Sequence, residues 1–87
     1  MRPSPNERVI LAQLSAAGPS YGLQLVAASD GRLKRGGIYV TLGTMERKGL
    51  VTSEVQDDGR RVYQLSGLGH RALAAMEIIG AQSEALP

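Results

Sequence analysis

A chain of 87 residues, 43% of them apolar and carrying a formal net charge of +2, suffices for one small domain and excludes a second. The absence of cysteine excludes a disulfide scaffold and any thiolate metal site, and a lone His70 cannot hold zinc without other strong ligands, so neither metal nor cofactor is expected. With three tyrosines and no Phe or Trp, the core must come from Leu, Val, Ile, Ala and Met, and dimerisation would add the burial that so small a core lacks.

The start, Met1-Arg2-Pro3-Ser4-Pro5, lacks the apolar run of a signal peptide, and no later run approaches the roughly 20 residues of a membrane span. A cytoplasmic protein without membrane association is expected. Ser4-Pro5-Asn6-Glu7 has the form of a capping box with proline at the first helical position. The helix it opens carries Ile10, Leu11, Leu14 and Ala17 on one stripe and stops at Gly18-Pro19. Ser20 then reads as the N-cap of a second helix, with Leu23, Val26 and Ala27 recurring at three and four residues and an end at Ser29-Asp30-Gly31.

The central stretch, Arg35 to Val51, reads as a third helix from Gly36 or Gly37 that ends at Gly49 and delivers the chain into a strand. Ile38, Leu42 and Met45 fall on a core stripe, and Tyr39, Val40, Gly43, Thr44 and Arg47 lie on the other side. Lys34, Arg35 and Gly36 stand where a capping Ser, Thr or Asp would serve. The first N–H groups are then open, and the two glycines allow a phosphate to approach the helix dipole. A merely flexible, glycine-rich turn accounts for the same residues. Between Arg32 and Lys48 there are five basic side chains against one acid, Glu46, whereas the tail from Ala72 has two acids and no base. Positive charge is thus concentrated around this helix, although a solvated loop would also carry Arg32, Lys34 and Arg35.

Leu50 to Gln56 and Arg61 to Leu65 have strand composition and join through Asp57-Asp58-Gly59-Arg60, a hairpin signal. Arg60 and Arg61 beside the tip could place a guanidinium on a phosphate or in a narrow minor groove, while Asp57 and Asp58 oppose that charge locally. Ser66 caps a last helix, Gly67 to about Glu84, with Leu68, Ala72, Leu73, Met76, Ile78 and Ile79. This is more apolar surface than one face requires, and it reads as a subunit contact formed by Ile10, Leu14, Leu73, Met76 and Ile79. The alternative is a helix that folds back on its own domain and frays after Gly80. The expected fold is α+β, mostly α: a winged helix-turn-helix of three helices, a two-stranded β-wing and a C-terminal helix. Residues 1–66 form the DNA-binding domain and 67–87 a dimerisation helix in the same compact unit.

Tyr21-Gly22-Leu23-Gln24-Leu25, Gly36-Gly37-Ile38-Tyr39-Val40-Thr41-Leu42, Met45-Glu46-Arg47-Lys48-Gly49-Leu50-Val51, Gly59 to Ser66 and Gly69-His70-Arg71-Ala72-Leu73 follow one another in an order and spacing that resemble the PadR family of bacterial transcriptional regulators. The resemblance covers Tyr21 to Leu73. It implies a homodimeric winged helix-turn-helix that binds a roughly palindromic double-stranded DNA operator, usually as a repressor. It further implies that Gly36 to Lys48 is the recognition helix, Tyr39 lies near the DNA backbone, Arg60 and Arg61 serve the wing, and the last helix dimerises. The chain departs from the family at Lys34-Arg35, where Ser-Pro is usual, at Val40, where proline is usual, and at Gly43 and Thr44, which are often basic. Gly43 inside a helix costs about 1 kcal/mol relative to alanine, which suits a place where something approaches closely.

The DNA-binding candidates are therefore Lys34, Arg35, Gly36, Gly37, Tyr39, Val40, Thr41, Thr44, Arg47, Lys48, Arg60 and Arg61. Base readout falls to Val40, Thr41 and Thr44, whose methyl groups suit thymine, with Arg47 or Lys48 on phosphate. No small-molecule effector is predicted, because without Trp or Phe the chain offers little on which a planar ligand could stack. An alternative of another class is a winged-helix module that binds an acidic protein surface within an assembly. Enzymatic activity is not expected, since the acids show no catalytic spacing and Asp57-Asp58 is more simply a turn.

Overall fold

Residues 3–85 are described by the computed structural model, with side chains as far as Glu77. Helix α1 (Pro5–Ala17) opens on the capping box: the Ser4 hydroxyl accepts the Glu7 N–H at 3.3 Å, and the Glu7 carboxylate accepts the Ser4 N–H at 2.7 Å. Gly18, at a φ of 79° that L side chains rarely adopt, ends it by donating its N–H to the Leu14 carbonyl.

The next segment differs from the sequence reading. Ser20 does not cap a helix. It lies with Tyr21 in a short strand, β1 (Ser20–Tyr21), where extended backbone after Pro19 pairs with the wing, and its hydroxyl donates back to the Gly18 carbonyl. The side chain of Gln24 accepts the Tyr21 N–H at the start of α2 (Gly22–Ala27). This helix starts one residue later than a Ser20 cap would allow, and its inward face also differs from the one read along the sequence. Leu25 is buried and Leu23 is 43% exposed. The helix then turns through Asp30 and Gly31, both at positive φ.

Helix α3 (Ile38–Arg47) buries Ile38, Leu42 and Met45 as the helical period requires. Its end is a Schellman motif, in which Leu50 N–H reaches the Met45 carbonyl and Gly49 N–H the Glu46 carbonyl, with Gly49 at φ 80°. Strands β2 (Val51–Val55) and β3 (Arg61–Leu65) pair antiparallel with Ser53 opposite Tyr63 and Val55 opposite Arg61. The sheet has three strands in the order β1-β3-β2 rather than the two expected, because β1 adds to the free edge of β3 with Ser20 opposite Tyr63. Gly59 turns the tip at φ 84°.

Helix α4 (Gly67–Ala85) is capped by the Ser66 hydroxyl, which accepts the Gly69 N–H at 2.9 Å and donates to the Gly49 carbonyl. Gly69 is glycine for a steric reason: a Cβ there would collide with the Leu50 carbonyl oxygen. One core joins all of these elements, drawing Ile10, Leu11 and Leu14 from α1, Leu25, Leu42 and Met45 from the next two helices, Val51 and Tyr63 from the sheet, and Leu73 from α4.

That core corrects the expected subunit contact. Ile10 is fully buried, Leu14 is 3% exposed and Leu73 8%, all within their own chain, so none of the three has surface left to offer a partner. The apolar stripe of α1 is covered by α3 and α4 of the same molecule. Met76 is half-buried against this core. The side chain of Ile79 lies outside the described residues. Among the described residues, no helix is long and apolar enough to cross a membrane.

Candidate nucleic-acid interface

The outward face of α3 is built by what its inward face holds. With Ile38, Leu42 and Met45 in the core, the 3.6-residue period turns Val40, Gly43, Thr44 and Arg47 away from it. Val40 is 72% exposed and Tyr39 51%. Tyr39 leans off this face onto Gly22 of α2, where an added Cβ would come within 2.7 Å of its ring. Gly22 is therefore the seat of Tyr39, a role of which the sequence gave no sign.

The basic turn ahead of α3 is anchored rather than loose. Ser29, itself buried, donates to the Val26 carbonyl at 2.8 Å and accepts the Leu33 N–H at 3.0 Å. Leu33 inserts into the core at 3% exposure, so its neighbours Arg32, Lys34 and Arg35 all stand in solvent. The helix start is only partly open. The Lys34 carbonyl accepts the N–H groups of Gly37 and Ile38, which moves the first helical residue to Ile38 and withdraws two of the N–H groups expected to be free. Gly36 and Gly37 have nothing within 4 Å of an added Cβ and no positive φ, so nothing in the chain itself demands glycine there.

Lys48 requires a correction. It was expected to face phosphate, yet it lies at the C-cap of α3, on the α1 side, with its ammonium 2.8 and 3.0 Å from the two oxygens of Glu7. Glu7 is 3% exposed. Burial alone would raise its pKa, but the Lys48 ammonium and the Ser4 N–H outweigh that and hold the carboxyl below its ordinary value. The pair ties the end of α3 to the start of α1, and Lys48 is thereby removed from the outward-facing set.

The two wing arginines are also engaged. Arg60 donates to Asp58 from its backbone N–H at 3.0 Å and from Nε at 2.7 Å, and its guanidinium lies 4.1 Å from the centroid of the Tyr21 ring. The Asp58 carboxyl is held below its usual range chiefly by the Arg60 N–H and then by the Arg60 side chain. Arg61 Nη1 donates to the Ser53 hydroxyl at 2.9 Å, and that hydroxyl donates to Glu46 at 2.7 Å. Glu46, the acid within the basic stretch, is thus turned toward the sheet and away from Val40 and Arg47. A cleft of about 410 Å³ between α3 and the wing is lined by Tyr21, Tyr39, Tyr63, Arg60 and Arg61, so all three tyrosines of the chain meet there.

The model of the transcriptional regulator PadR-like family matches residues 10–75, most of the chain. The chain belongs to that family. Its fold is also that of solved PadR and other winged-helix regulators. A PadR family transcription regulator from hypervirulent Clostridium difficile R20291 superimposes with a TM-score of 0.80 at 24% identity, covering 93% of this chain and 92% of that one. MepR, a regulator of the Staphylococcus aureus multidrug efflux pump MepA, gives 0.82 at 19% identity over 93% of this chain and 60% of its own. A probable transcriptional regulator from Pseudomonas aeruginosa gives 0.79 at 22% identity over 91% and 59%. The PadR-like chain thus spans about three-fifths of the last two and nearly all of the first. At these identities the likeness concerns the fold. No curated protein gives a significant match.

Within the PadR-like fold, the residues brought onto or beside one surface are Lys34, Arg35, Tyr39, Val40, Thr44 and Arg47, with the wing pair Arg60 and Arg61 at its margin. Thr41 and Thr44 are each half-buried. Sequence reasoning missed the supports of this surface: Ser29 and Leu33 under the turn, Gly22 under Tyr39, Tyr21 under Arg60, and Ser53 between Arg61 and Glu46.

Proposed function

We propose that the chain is a homodimeric, sequence-specific regulator of transcription that binds double-stranded DNA and acts as a repressor, with α3 in the major groove and the 57–61 wing tip on the backbone or in the minor groove. The observation that carries this reading is the outward face of α3, which has its acid turned aside, its arginine outward, and the basic turn at its head. A helix about 10–12 Å across with its side chains fits a major groove of about 12 Å. Membership of a family of transcriptional regulators supports the same conclusion. The subunit contact would fall to α4, without Ile10, Leu14 and Leu73.

A salt titration of binding to duplex DNA tests the proposal. Affinity should fall linearly on logarithmic axes as salt rises, and Arg35→Ala with Arg47→Ala should reduce the slope by up to about 2. Absence of binding at low salt, or an unchanged slope in the double variant, overturns it and favours a protein-binding module. The solution mass with and without duplex reports the dimer.

A further inference from the structure

The threonines of α3 are not free to read bases by hydrogen bonding. Thr44 Oγ1 donates to the Val40 carbonyl at 3.1 Å and accepts from Arg47 Nη2 at 3.1 Å, while Thr41 Oγ1 donates to the Gly37 carbonyl at 3.2 Å. Both hydroxyl protons are therefore committed to the helix's own backbone, and what the two side chains keep for a partner is mainly a methyl group. Beside them Val40 carries two more methyls and is 72% exposed, so burial in its own core does not account for an apolar residue there. Gly43, one turn on, has only the Arg47 guanidinium within 4 Å of an added Cβ, at 3.6 Å, so the chain itself gives no reason for a missing side chain next to Val40.

A methyl-bearing helix face, exposed at Val40 and half-buried at the threonines, has a fitting counterpart on duplex DNA when it stands in a basic setting. The major-groove edge of thymine carries a C5-methyl, while hydrogen-bonding edges would be left unpaired against such a surface. We propose that Val40 is a specificity residue that reads thymine C5-methyl groups, with Thr44 held by its backbone bond to present its methyl alongside and Gly43 leaving room for the approach. The proposal rests on the DNA-binding reading given above.

Thymine and uracil pair identically and differ only in that methyl, which makes the test direct. A duplex selected from a random pool by the full chain is synthesised with thymine and again with deoxyuridine at every selected thymine, and both are titrated with wild type and with Val40→Ala. Wild type should lose about fourfold in affinity for each methyl it buries. Val40→Ala, at an exposed site where folding is not at stake, should weaken binding of the thymine duplex more than of the uracil duplex and so lose most of the preference for thymine. Equal affinity of wild type for the two duplexes overturns this proposal alone, as does a preference that survives intact in Val40→Ala. Failure to select or bind any duplex at low salt overturns the DNA-binding reading and this proposal with it.

Discussion

Replacing Lys48 by Met keeps the stem and removes the ammonium that neutralises Glu7. The Glu7 side chain is 4% exposed and that of Lys48 27%. Breaking a fully buried pair costs about 3–5 kcal/mol, whereas an exposed pair contributes about 0–1 kcal/mol. Water reaches the lysine end and the Ser4 N–H stays on the carboxylate, so the expected loss lies between these limits at about 2 kcal/mol, or a fall in Tm of about 10 °C for a domain of this size. The pH dependence gives a second handle. The folded-state pKa of Glu7 is depressed below its ordinary 4.5, so its contribution is fully present above 4.5 and lost as pH falls through the folded value. In Lys48→Met burial acts unopposed by the ammonium, so the variant gains relative to wild type as the carboxyl protonates. The gap in unfolding free energy, read by urea titration with circular dichroism, should be widest at pH 7 and close on acidification toward pH 4. A gap below about 0.5 kcal/mol at pH 7, within the scatter of ordinary surface substitutions, would refute the reasoning, as would one that does not change with pH. A cycle with Glu7→Gln should show a coupling above about 1 kcal/mol.

Four further substitutions separate folding from binding. Gly69→Ala forces a methyl against the Leu50 carbonyl and should destabilise by about 2 kcal/mol in denaturant unfolding, whereas Gly67→Ala, whose nearest neighbour would be Arg71 at 3.9 Å, should be nearly neutral or stabilising. Gly22→Ala should displace the Tyr39 ring rather than backbone, leaving Tm within a few degrees of wild type but weakening duplex binding as measured by fluorescence anisotropy; unchanged affinity would mean that the seat of Tyr39 does not matter. Asp58→Asn removes the carboxylate that holds Arg60 and should tighten DNA binding and steepen its salt dependence by up to about one unit of slope. A flat response would show that Arg60 takes no part.

The fold was legible wherever local chemistry and periodicity act together. The capping box at Ser4 and Glu7, the Ile38, Leu42 and Met45 stripe, the Gly49 stop and the hairpin glycine at Gly59 each appear in space as they do along the chain. What escaped was set by partners distant in sequence. Ser20 has good capping chemistry, but strand pairing with Tyr63 takes precedence, and that one event shifts the start of α2 and exchanges Leu23 for Leu25 in the core. Ile10 and Leu14 read as a surface stripe because a single helix cannot say which neighbour covers it. Lys48 belonged to the basic cluster by count, and only its carboxylate partner forty-one residues earlier reveals it as a structural cation. The exposed face of α3 was visible from the period alone, but the commitment of its threonine hydroxyls was not, since a back-bond depends on the side-chain rotamer.

The first turn of α4 has little freedom to swivel. Gly69 lies flat against the Leu50 carbonyl, and Ser66 bridges the Gly49 carbonyl to the Gly69 N–H. Gly49 and Leu50 are also the residues that close α3, so the two helices share a single joint. In the proposed dimer this joint would act as a crank. There a tilt of α4 against its counterpart would pass through the joint into α3, so the packing of one glycine on one carbonyl would bear on the distance between the two α3 helices.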